Sequence, residues 1–74
     1  HLQRVLSYAP MVAENGRAEV FLTQEDWFVV ADTLFRMHTP KELLPPEIQE
    51  YRLTDENRVI ELVTPELTIE VKMF

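Results

Sequence analysis

From Leu67 to Phe74 the chain alternates without interruption, with Leu67, Ile69, Val71 and Met73 on one side and Thr68, Glu70 and Lys72 on the other. A period of two marks a strand with one face buried and one face wet. The same pattern runs back through Arg58 to Thr64 and Tyr51 to Thr54, so the chain closes in a three-stranded antiparallel meander. Burial alone sets its register. Ile60 and Leu62 reach the core only opposite Val71 and Ile69, with Pro65 and Glu66 at the turn, because a one-residue slip sends every apolar side chain to solvent. By the same demand Leu53 lies opposite Ile60 and Tyr51 opposite Leu62.

This register fixes an outer face as well as a core. Arg52, Glu61 and Glu70 form a row across the three strands, with Arg52 favourably placed against Glu61 and Glu70 unfavourably so, since like charges directly opposite repel. A second outer row holds Thr54, Val59 and Lys72, and a third has Val63 beside Thr68. Continuing the alternation turns Phe74 outward, where it either packs on a partner or folds over the sheet edge.

Ahead of the meander, Asn15-Gly16 is the pair favoured where both residues of a tight hairpin turn need positive φ. It predicts an N-terminal β-hairpin between Leu6 and Leu22. Glu14 then faces Arg17, and Ala9, Met11 and Ala13 share a face with Leu22, Val20 and Ala18. Pro10 cannot donate to a ladder, so this first strand belongs at an edge. A rival reading makes Leu2 to Ala9 a short helix with Leu2, Val5, Leu6 and Ala9 on one side, stopped by Pro10, and the two combine where a helical turn leads into the strand.

Thr23 opens the main α-helix, predicted over about 24–37. Thr23 is an N-cap with Asp26 three residues on, Leu22 and Trp27 occupy the positions of a hydrophobic staple, and Glu25 and Asp26 suit the positive end of the helix dipole. The apolar residues Trp27, Phe28, Val30, Ala31, Leu34, Phe35 and Met37 project over an arc of about 180°, wider than the roughly 100° stripe of an ordinary surface helix. Short helical turns after Thr39-Pro40 and from Pro46 supply Leu43, Leu44 and Ile48 as cover. The expected fold is thus α+β: one domain over 1–74, a hairpin, a main helix, short turns, and the meander packed on the helix.

A chain of 74 residues buries only about 60 to 65% of its unfolded surface, so thin stability and help from a partner or a second copy are expected. It has no cysteine, which removes disulfides and thiolate metal sites and suits a cytoplasmic location. Its longest apolar run, Trp27 to Ala31, is far short of a membrane span. Beginning at His1, the chain reads as trimmed, tagged or cut from something longer. Thirteen acidic residues against seven Lys plus Arg leave a net charge of −6, which disfavours direct nucleic-acid binding and would steer a basic protein partner.

Catalytic chemistry is hard to assemble from these residues. His38, the only internal histidine, falls at the end of the main helix, where a cation suits the dipole. Ser7 is the only serine, and a catalytic imidazole needs both an orienter and a nucleophile. The acid pairs Glu25-Asp26, Asp55-Glu56 and Glu61 with Glu70 fall on a helix start, a turn and an outer sheet face rather than in a cleft. Asp55-Glu56-Asn57 lacks the spaced ligands of a calcium loop. Gly16 is the only glycine, so no phosphate-cradling loop can be written, and the aromatics are not interleaved with basic residues as a stacking platform requires. No cofactor and no metal are expected.

The resulting expectation is a small acidic protein-interaction module, an inhibitor or regulator that binds a protein partner through its outer sheet face or a free edge strand. Arg52, Glu61, Val63, Glu70, Lys72 and Phe74 are its expected contact residues. In size and composition alone the chain resembles short acidic host-directed proteins of phages and mobile elements, anti-defence inhibitors among them. A homo-oligomeric assembly module, pairing through the last strand or the rim of the main helix, is the second reading, and a minimal enzyme the third.

Overall fold

The computed structural model describes residues 2–74. Leu2, Val5, Leu6 and Ala9 repeat at helical spacing, and the chain follows that period: α1 runs over Leu2–Val12. Leu2, Val5 and Ala9 are buried along one side. Pro10 sits inside this helix and is exposed, so its ring faces away from the core. The expected N-terminal hairpin is therefore replaced. Its would-be first strand is helical, Ala9 is buried and Met11 is exposed, because burying Leu2, Val5 and Ala9 together on one helical face outweighs the helix-breaking tendency of Pro10.

The turn that suggested the hairpin nevertheless forms. Asn15 and Gly16 both have positive φ, 55° and 76°, and Glu14 and Arg17 pair across it through two main-chain hydrogen bonds of 2.7 and 3.1 Å. That single bridge reverses the chain from α1 into β1 (Arg17–Leu22). Its inward residues are Ala18 and Val20.

Thr23 caps α2 (Gln24–Ala31), its hydroxyl accepting from the Asp26 amide at 3.2 Å. The helix continues as a π turn over Asp32–Arg36, closed by the Met37 amide on the Asp32 carbonyl at 2.8 Å. His38 follows with φ 51°, a left-handed residue just beyond the helix rather than in its last turn. Trp27, Val30 and Leu34 face the core, Phe35 lies edge-on to Tyr51 with centroids 5.4 Å apart, and Phe28 and Met37 stay exposed. After a 3-10 turn at Lys41–Leu43, Leu44 and Ile48 close the core while Leu43 points out.

The last three strands are β2 (Glu50–Thr54), β3 (Val59–Val63) and β4 (Thr68–Met73). Leu53 pairs with Ile60, Tyr51 with Leu62, Ile60 with Val71 and Leu62 with Ile69. The meander is three strands of a four-stranded mixed sheet ordered β1-β4-β3-β2, in which β1 joins β4 in parallel. The final strand is thus interior and has no free edge for self-pairing. Both helices cover the Ala18, Val20, Ile60, Leu62, Ile69 and Val71 face, and these six are almost fully buried. Val59, expected on the wet face, is buried as well.

Candidate functional site

Parallel pairing of β1 with β4 rewrites the outer face. Glu19 lies opposite Glu70, which lies opposite Glu61, so three glutamates follow Arg52 in one row across the sheet. Each carboxylate has its own cation. Arg52 binds Glu61 through both a hydrogen bond and an ion pair, Arg17 reaches Glu70 at 3.6 Å, and Lys72 donates to Glu19. The hydrogen bond from Lys72 to Glu19 raises the lysine pKa above its ordinary value. Of the expected contact residues, Arg52, Glu61, Val63, Glu70 and Lys72 do share this face, and Phe74 continues it. Their charges are largely spent on one another, and no described group of three or more acidic or histidine side chains is arranged to hold a metal.

β1 and β2 are the two edges of the sheet, and β1 is the edge with a groove beside it. The Gly16 carbonyl accepts from the Thr68 amide and the Leu22 carbonyl from the Phe74 amide, both at 3.0 Å. Main-chain polar groups alternate in direction along a strand, so the even residues of β1 face β4 and the odd residues face outward. Arg17 is satisfied by Glu14. Glu19 and Phe21 are left presenting their amides and carbonyls to the free edge.

Beside that edge runs a groove of about 490 Å³. Val5, Tyr8 and Val12 of α1 form one wall, and Val20, Phe21 and Phe74 the other. Phe21 and Phe74 stack at 6.0 Å between centroids, and the Lys72 ammonium lies 5.9 Å from the Phe21 ring. Tyr8 is 55%, Phe21 47% and Phe74 87% exposed, a concentration of wet aromatic surface next to unpaired backbone. Arg4, Glu19 and Asp26 rim the groove, so its charges are of both signs.

The alternation of the last strand marks Lys72 and Phe74 as outward, whereas Tyr8, Val12, Glu19 and Phe21 line the groove without being among the expected contact residues. Their signal was present. On the helical reading of the first residues, Tyr8, Met11 and Val12 form a second apolar stripe beside the buried one, and Phe21 falls on the wet side of the Ala18, Val20, Leu22 alternation. Comparison with family profiles, curated proteins and solved structures finds no match. No helix among the described residues is long and apolar enough to cross a membrane.

Proposed function

We propose that the protein is a protein-interaction module, acting as an inhibitor or regulator by binding rather than by catalysis, and that its working surface is the open edge of β1 with the groove beside it. The observation that carries this reading is the coincidence of unpaired main-chain groups at Glu19 and Phe21 with an apolar channel walled by Tyr8, Val12, Phe21 and Phe74. An extended segment added to an exposed edge gains main-chain hydrogen bonds, while flanking pockets select alternate side chains. The outer sheet face, with its carboxylates already paired to Arg17, Arg52 and Lys72, then serves as the rim of the site through Lys72 and Phe74.

Selection of a displayed peptide library on the immobilised protein tests this. Enriched sequences should alternate apolar and polar residues, and should be lost on Glu19→Pro, which removes the outward amide while sparing the ladder to β4. They should survive Glu61→Lys. Enrichment insensitive to Glu19→Pro but abolished by Glu61→Lys would move the site to the outer face.

A further inference from the structure

Two residues with open backbone groups, Glu19 and Phe21, are separated by a single residue, and this spacing is self-complementary. We infer that the edge of β1 pairs with the same edge of a second copy of the chain, antiparallel about a twofold axis at Val20. The inference rests on the reading of β1 as the binding edge and names the occupant.

The register follows from elimination. In an antiparallel pair, residues whose polar groups face the partner must be matched to residues of the same kind. Placing the axis at Glu19 sets two carboxylates directly opposite and calls on Arg17, whose amide and carbonyl are already bonded to Glu14. Placing it at Phe21 calls on Thr23, whose carbonyl already accepts the Trp27 amide at 2.9 Å as the first bond of α2. With the axis at Val20, Glu19 meets Phe21 of the copy and Phe21 meets its Glu19. All the open amides and carbonyls at these two positions are then satisfied in both copies, by four hydrogen bonds.

Side chains fit the same arrangement. The carboxylate of Glu19, held by Lys72 of its own chain, comes beside an aromatic ring rather than a second carboxylate. On the other face the twofold axis brings the Tyr8 and Val12 flank of α1 towards its counterpart, burying apolar surface that a monomer leaves wet. The rim carries Arg4 together with Glu19 and Asp26, so each copy offers both signs of charge to the other. Two four-stranded sheets become one of eight strands, and an edge that invites uncontrolled pairing is closed.

A second copy and a basic partner respond oppositely to salt. Two chains of charge −6 repel through solvent, so a dimer held by backbone pairing tightens as salt screens that repulsion, whereas a basic partner loosens.

Sedimentation of the purified chain from micromolar to millimolar concentration, at low and high salt, is the test. The expected result is a monomer–dimer equilibrium strengthened by salt and weakened at least about thirtyfold by Glu19→Pro, which deletes one hydrogen bond from each half of the pair. Glu19→Gln should dimerise as well as the parent. Hydrogen exchange supplies a readout independent of that variant's folding: the Glu19 and Phe21 amides should gain protection with rising concentration. A monomer at millimolar concentration overturns the inference, as does a dimer in which the Glu19 and Phe21 amides gain no protection. A monomer that still selects peptides through β1 leaves the proposed function standing without the dimer. A β1-paired dimer that selects none leaves the dimer without the capture of other proteins.

Discussion

The indole N–H of Trp27 donates to the main-chain carbonyl of Val71 at 2.9 Å, joining α2 to the middle of β4 inside the core. Few other polar links tie the helical layer to the sheet. A carbonyl has two lone pairs, so Val71 can serve the indole as well as its strand ladder.

Trp27→Phe keeps most of the ring volume and removes the donor. It should cost about 1 to 3 kcal/mol, the range for breaking a buried hydrogen bond and repacking around a smaller ring. Trp27→Ala should cost about 3 to 5 kcal/mol. For a domain of this size total stability is about 4 to 11 kcal/mol, so the alanine variant should sit near its unfolding threshold at 37 °C. Urea denaturation followed by circular dichroism reads both.

The turn between β2 and β3 holds three consecutive residues in the left-handed region, Asp55, Glu56 and Asn57, with φ of 52°, 58° and 67°. Asp and Asn tolerate this conformation; Glu has no short side chain to compensate, and the left-handed state costs an ordinary residue roughly 1 to 2 kcal/mol. Glu56→Gly removes that strain but enlarges the entropy of the unfolded chain. The net effect should be a gain of about 0.5 to 1 kcal/mol, a rise in Tm of about 2 to 8 °C by differential scanning calorimetry. Glu56→Val should move Tm down.

These two sites mark how far the sequence can be read. Alternation in β2 and β4, with Ile60 and Leu62 flanking Glu61 in β3, leaves one register that buries Ile60, Leu62, Ile69 and Val71 together, and the Thr23 cap marks the start of α2 from local chemistry. Residues 2–13 satisfy two periods at once. Leu2, Val5 and Ala9 fit a helix, Ala9, Met11 and Ala13 fit a strand, and the Asn15-Gly16 turn is compatible with either entry. Only tertiary burial, filled by the helical set, decides between them. The parallel partnership of β1 and β4 is invisible locally, because Ala18 and Val20 bury equally well beside any strand. With it went the position of the open edge, and therefore the groove.

Arg17 is the cation that this partnership brings to Glu70. Without it Glu70 stands between Glu61 and Glu19, and the nearby Lys72 ammonium is already bonded to Glu19. Arg17→Ala should destabilise the fold by about 0.3 to 1 kcal/mol at low ionic strength, as for other largely exposed pairs. The loss should shrink at high salt. Glu70→Gln in the Arg17→Ala background should recover it, so a double-mutant cycle at two salt concentrations reports the coupling. Equal losses at both concentrations would mean that the arginine stem, rather than its charge, matters.

Lys72 bridges the outer face and the binding edge, and its titration separates those roles. Its hydrogen bond to Glu19 stabilises the ammonium, so the folded pKa lies above the ordinary lysine value of 10.5. A group whose pKa is higher when folded stabilises the fold fully below its unfolded pKa and loses that contribution as pH rises through the folded one. The parent should therefore keep a constant advantage over Lys72→Gln from neutral pH to about pH 10, and the two urea midpoints should converge above it. Glu19→Gln weakens the interaction that raises the pKa, so in that background the advantage should be smaller and the convergence complete at lower pH. If convergence is unmoved by Glu19→Gln, the lysine is held by Glu70 and Asp55, the more distant acids that also raise it, and the edge of β1 is electrostatically independent of the face beside it.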